Sequence, residues 1–216
     1  PQEFYYQFII PRKPAILVDK SGQHDDFKNV TKWTNDYLSQ RAGGKYLAIE
    51  HRKKPNGEFG REAPREDFLF SQFLHNMEHK DESRYLTSQT TNYEGNDLPD
   101  MISEPLTSLK DDFSIRPSIM GNLIPYQCNL WLGNAVNGST SGLHHDYHDN
   151  LYHLVRGCKV FNILSPDYLP ALQVQGKMIK IHPNGLIVYS SCPTIDEVGV
   201  CGLDRYGFTI EFSEHI

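Results

Sequence analysis

Leu143–Lys159, LHHDYHDNLYHLVRGCK, holds four of the ten histidines and decides how the rest of the chain is read. His144 and Asp146 stand two apart, and side chains of a strand repeat every two residues, so the pair projects from one face. That is a chelating arrangement. A histidine and a carboxylate side by side need only a second histidine from elsewhere to make a facial triad, which leaves coordination positions open for chemistry. Alternation turns His145 and His153 away from the His144 side, so they, with His148, read as surface or outer residues rather than ligands, and Asp149 as a loop acid.

The same stretch predicts a hairpin. Asn150–Val155 and Cys158–Leu164 read as strands joined by Arg156-Gly157, which pairs Leu154 with Lys159 and Tyr152 with Phe161. One face then carries Asn150, Tyr152, Leu154, Lys159, Phe161 and Ile163. A lysine on a mostly apolar and aromatic face is costly to bury alone and calls for an anion.

Working outward, the second half is a series of short strands: Cys128–Gly133, Ser141–Asp146 after the Asn137-Gly138-Ser139 turn, a hairpin of Met178–Ile181 with Leu186–Ser190, and Phe208–Phe212. The first half is more helical. Phe27, Val30, Trp33 and Tyr37 give a helical stripe over Asp25–Gln40, and Phe68, Phe70, Phe73, Leu74 and Met77 another over Arg65–Lys80. Tyr5–Ile10, Ala15–Val18, Tyr46–His51 and Tyr85–Gln89 read as strands, with a turn at 54–57 and a short helix near Leu106–Leu109. His75 and His79 are four apart on the second helix, yet no acidic or cysteine partner stands nearby, so they read as a solvated pair. The pattern predicts one domain over 1–216, mainly β with helical decoration: residues 1–120 helices and strands, 121–216 barrel strands.

Composition narrows the function classes. A formal charge of −6 argues against a broad phosphate-binding surface and so against direct nucleic-acid binding, while a basic protein substrate stays compatible. Cys128, Cys158, Cys192 and Cys201 show no C-x-x-C spacing and read as reduced thiols. No apolar run reaches the length of a membrane span, and PQEFYYQFII lacks a basic leader, so the expectation is a protein of cytosol or nucleus.

WLGNAVNGSTSGLHHDYHDNLYHLVRGCKVFNILSP, Trp131–Pro166, joins a His-x-Asp, an Asn four residues past the Asp, an aromatic two later and a Gly-x-Lys in register. In these features it resembles the Jumonji-C (JmjC) oxygenases, cupin-fold enzymes dependent on iron(II), 2-oxoglutarate and O2, and is most similar to the small JmjC lysyl hydroxylases, including the one that modifies GTP-binding proteins. The resemblance implies a double-stranded β-helix (cupin, jelly-roll) barrel. It also implies that His144 and Asp146 are iron ligands and that Lys159 holds the distal carboxylate of 2-oxoglutarate. Asn150, Tyr152 and Ser141 match positions lining that pocket, and Tyr85 falls where related hydroxylases place a tyrosine reaching it. No catalytic residue beyond the metal centre is implied. The cosubstrate chelates iron by its keto-acid end, and its far carboxylate needs a cation to fix its direction.

The family's distal histidine follows Gly-Asp/Glu, an apolar strand, Pro and aromatic residues, and nothing after Lys159 has that form. The candidates within the sequence are His182, which opens a turn, and the better placed His215, which follows Phe208–Phe212. The expectation is that the sequence stops before the distal motif and that the barrel is incomplete at its C-terminal end. Three functions follow: hydroxylation of a protein lysine, lysine demethylation at the same kind of centre, or a catalytically silent cupin-like binding module.

Overall fold

The structure is a computed structural model that describes residues 1–18, 25–52, 64–89, 100–134, 146, 148–168, 178–181, 187–189 and 210–212. The predicted turns at 54–57 and 137–139 and most of the predicted strand at 141–146 lie outside them, as do Cys192 and Cys201. The chain divides into two compact units, both drawn from early and later segments. One comprises Pro1–Leu47, Phe68–His75 and Gln89–Leu130, the other Ala48–Asp67, Asn76–Ser88 and Trp131–Ile216.

The first unit is helical. Tyr5–Ile10 is not the expected strand: α1 (Gln2–Phe4) continues into a π-helical turn at Tyr5–Ile9. Four-residue spacing wins there because the Phe4 and Phe8 rings meet at 5.5 Å and the Gln7 amide donates to Glu3 Oε1 at 2.9 Å. Ala15–Val18 forms no strand and is exposed. The predicted Asp25–Gln40 helix is two pieces, a 3-10 helix at Asp25–Lys32 and α2 at Asn35–Ala42. Thr34 divides them, because in an extended conformation its Oγ1 accepts from the Tyr37 N–H at 3.2 Å and caps α2.

The stripe of that split helix converges on Asp112, which ends the expected short helix (3-10, Thr107–Asp112). Trp33 Nε1 donates to its Oδ2 at 2.9 Å, and the Tyr37 hydroxyl bonds both carboxylate oxygens, at 3.0 and 2.9 Å. Donating to a carboxylate at such short range favours the protonated phenol and raises the Tyr37 pKa, with burial adding to the rise. Val30, Leu38, Ala42, Leu47, Phe70, Phe73, Leu74, Leu106 and Leu109 make the apolar core of this unit.

Arg65–Leu69, predicted as the start of a helix, is a strand, and the helix α3 begins only at Phe70 and runs to Glu78. The backbone around Lys45 explains the boundary: the Phe70 N–H donates to the Lys45 carbonyl at 2.9 Å and the Ser71 N–H to that of Gly43 at 3.0 Å, serving α3's first free donors. His75 and His79 are both exposed.

The strands lie mostly in the second unit. β1 (Tyr46–His51), β2 (Arg65–Leu69), β3 (Arg84–Leu86) and β4 (Leu132–Gly133) form a sheet in the order β2-β1-β3-β4, with β1–β3 and β3–β4 antiparallel. β5 (Lys159–Phe161) pairs antiparallel with β8 (Ile210–Phe212), and β6 (Met178–Ile181) with β7 (Ile187–Tyr189), the last as the predicted hairpin. Antiparallel pairing with modest helical content is the pattern of a jelly-roll fold; the described strands do not themselves close a barrel.

The hairpin predicted at 150–164 is absent as a ladder, because β5 takes β8 as its partner. Residues 150–155 form no strand, and the chain bends at Arg156-Gly157, where Gly157 has φ 84°, a conformation that favours glycine. Among the described residues no helix is long and apolar enough to cross a membrane.

Candidate functional site

Three residues face one another across the sheet. In antiparallel strands directly opposed residues share a face, and the register places Glu50 opposite Tyr85 and Tyr85 opposite Gly133. Glu50 is 1% exposed. Its charge is met by Arg65 Nη2 at 2.9 Å and by the Thr87 hydroxyl, which donates to Oε1 at 2.8 Å; Arg65 also reaches the Thr87 hydroxyl at 3.0 Å and the Ser88 carbonyl at 3.0 Å. A carboxylate so enclosed persists only with such partners. The alternation of Tyr46–His51 holds a signal for it, since Glu50 is an acid within a buried strand, but local periodicity puts Arg65 on a helix.

Tyr85 stands beside this pair. Burial of its phenol pushes the pKa well above the ordinary value, with the charges of Tyr152 and Glu50 adding to the rise. It is therefore a neutral hydroxyl, able to donate, near Tyr152.

Lys159 lies at the start of β5 with its ammonium among three aromatic rings: Nζ is 4.5 Å from the Tyr152 centroid, 5.3 Å from Phe161 and 5.9 Å from Trp131. These are cation–π distances. The Tyr152 and Phe161 rings meet edge to face at 5.2 Å, so the adjacency expected of a hairpin is kept by side chains where the ladder is missing. Trp131 was not expected in this group. Burial lowers the Lys159 pKa to about 8, and the negative charge of Asp146 opposes that shift without cancelling it. Burial also raises Tyr152.

Asp146 is exposed and accepts from Asn150 Nδ2 at 2.7 Å. Asn150, expected against the cosubstrate, thus orients the candidate ligand carboxylate. His144, Ser141, His182 and His215 lie outside the described residues, so of the proposed ligands the structure positions Asp146. Among the described residues no three His, Cys, Asp or Glu side chains gather as a metal site. The Lys159 ammonium fits a ligand carboxylate, since a cation whose pKa burial depresses is stabilised by an anion brought against it.

Comparison with known proteins assigns the fold to a family. The cupin-like domain profile matches residues 1–204. The chain is 38% identical to "JmjC domain-containing protein 4" of Schizosaccharomyces pombe over 99% of its own length and 47% of that protein's. It is 24% identical to "JmjC domain-containing protein E" of Dictyostelium discoideum over 79% of its own length and 51% of that protein's. The chain spans about half the length of these curated relatives. Together with its antiparallel sheets and the spacing around His144, Asp146 and Lys159, these matches show that the chain belongs to the cupin-like domain family of the JmjC cupin superfamily.

Proposed function

We propose that this chain forms the cosubstrate-binding part of an iron(II)- and 2-oxoglutarate-dependent protein hydroxylase, with a lysine side chain as the target. JmjC domains are typically 2-oxoglutarate-dependent oxygenases that use iron(II). The observation that carries the reading to this chain is the Lys159 ammonium, drawn in among Tyr152, Phe161 and Trp131 with Asp146 close enough to influence it. In this reading Lys159 fixes the distal carboxylate of 2-oxoglutarate and Tyr85 donates to it. Tyr152 walls the pocket, and Asn150 holds the Asp146 carboxylate in the direction a metal needs. His144 and Asp146, with a further histidine, would hold iron(II), which supplies oxygen activation coupled to decarboxylation of the cosubstrate. Trp131, Tyr152 and Phe161 line the ammonium but are themselves exposed on their outer faces, so the salt link forms in a partly screened place.

The test is direct. Full-length protein with iron(II), ascorbate and lysine-containing peptides is expected to convert 2-oxoglutarate to succinate and to add one oxygen atom to the peptide. Asp146→Ala is expected to reduce turnover by more than the ~100-fold typical of losing an outer-shell partner, and to weaken manganese(II) binding in parallel. No decarboxylation with any peptide would refute the reading, and loss of a methyl group in place of a gain of oxygen would make the reaction a demethylation.

The depressed lysine gives a pH signature. Binding of a dicarboxylate needs the ammonium, which in the free protein is lost above about pH 8. Affinity for 2-oxoglutarate is therefore expected to be flat below that pH and about tenfold weaker at pH 9 than at pH 7, whereas a lysine of ordinary pKa gives almost no change. Titration calorimetry at the two pH values distinguishes these outcomes.

A further inference from the structure

Gly133 has no local reason to be glycine. Its φ lies outside the left-handed region, and it occupies an ordinary strand position opposite Tyr85. Space explains it. A Cβ built on Gly133 would overlap the Tyr85 ring at Cδ2, stand 3.1 Å from Cε2 and lie 3.5 Å from the Arg84 carbonyl. The overlap runs along one edge of the ring, from Cδ2 to Cε2, so the ring would have to turn or shift out of its present place. On its other flank Tyr85 faces Glu50, which Arg65 and Thr87 hold in place. The ring is thus laid over the one residue in its row that has no side chain, beside one that is anchored.

We propose that Gly133 is a positioning residue for the cosubstrate site: by leaving its own face bare it lets the Tyr85 ring lie across β4 and hold its hydroxyl toward Tyr152 and the Lys159 ammonium. The inference rests on the reading of Lys159 and Tyr85 as a carboxylate pocket and adds a residue that acts through Tyr85. A methyl group at Gly133 displaces the ring, withdraws the donor, and weakens the hold on the distal carboxylate without touching the metal ligands.

Calorimetric titration of 2-oxoglutarate into the full chain with manganese(II) tests this, alongside thermal melts. Tyr85→Phe, which removes only the hydroxyl, is expected to bind about tenfold more weakly or worse, as for loss of one hydrogen bond to a charged group. Gly133→Ala is expected to show a similar loss and a lower Tm. Combining the two is expected to lower affinity no further than Tyr85→Phe alone, yet to lower the Tm as much as Gly133→Ala alone, because the phenylalanine ring still collides with the methyl. A purely architectural glycine gives the opposite pattern: unchanged affinity in Gly133→Ala, or an equal additional loss in the Tyr85→Phe background, and either overturns the proposal. Should Gly133→Ala not fold, Tyr85→Ala with and without Gly133→Ala decides, since with the ring gone the two must bind alike and a difference refutes the inference. A wild-type chain that fails to bind 2-oxoglutarate removes the cosubstrate reading itself and this inference with it, whereas binding that Lys159→Ala abolishes and Gly133→Ala leaves intact removes the inference alone.

Discussion

Lys159→Met is expected to abolish measurable 2-oxoglutarate binding while leaving the fold intact. Methionine keeps an unbranched stem among Tyr152, Phe161 and Trp131 and removes the charge. Truncating one partner of a hydrogen-bonded charge pair costs about 2–5 kcal/mol, a ~30- to several-thousand-fold loss of affinity. Stability moves differently, because two terms of opposite sign nearly offset. The cation–π contacts that disappear are worth about 0.5–2 kcal/mol, and the burial that pulls the lysine pKa to about 8 is relieved. The variant is therefore expected to melt within a few degrees of the wild type in the absence of ligand and to lose the thermal shift that 2-oxoglutarate gives the wild type. A large drop in unliganded Tm would show that the ammonium is held mainly for the fold.

Arg65→Met is expected to be the most destabilising single substitution in the sheet, by about 3 kcal/mol, or roughly 6–12 °C for a chain of this size. The asymmetry of the pair decides this. The Arg65 side chain is 35% exposed and that of Glu50 only 1%, so removing the arginine takes the countercharge from a carboxylate out of reach of water, to which the Thr87 hydroxyl still donates. Arg65→Met with Glu50→Gln is expected to recover most of the loss, since the amide carbonyl still accepts from Thr87 and no charge is left buried. Denaturant melts of the two single variants and the double measure the coupling; additivity would mean that the pair contributes nothing as a pair. Because Tyr85 lies opposite Glu50, Arg65→Met is also expected to weaken 2-oxoglutarate binding.

Much of this was written in the sequence where the interactions are local, and little where they are not. The apolar stripe of α3 is visible as Phe70, Phe73, Leu74 and Met77, all buried, and the β6–β7 hairpin is visible from its central turn. The Arg65–Leu69 error has a physical origin. Phe68 fits the helical stripe that follows, so periodicity extends the helix backwards, while the contact of Arg65 with Glu50 comes from a strand paired in space and leaves no trace in local spacing. Thr34 is a cap that a stripe of Trp33 and Tyr37 conceals. At the candidate site, the conflict of a lysine on an aromatic face was legible from two-residue alternation, and the structure places Lys159 against Tyr152 and Phe161. The ladder drawn to explain it was not, because β5 pairs with β8 far along the chain. Gly133 was invisible, since its reason is the ring of Tyr85 on the preceding strand, far back in the sequence.

The β5–β8 ladder also orders events in time. Lys159, Val160 and Phe161 reach Phe212, Glu211 and Ile210 only after the long segment that carries β6 and β7 has been closed, whereas β6 and β7 are near neighbours in sequence. Loop closure is slower and entropically dearer for distant partners. The strand that carries Lys159 is therefore expected to settle late in folding, after the β6–β7 hairpin, so that any dicarboxylate binding through Lys159 would report completion of the fold and not merely its beginning.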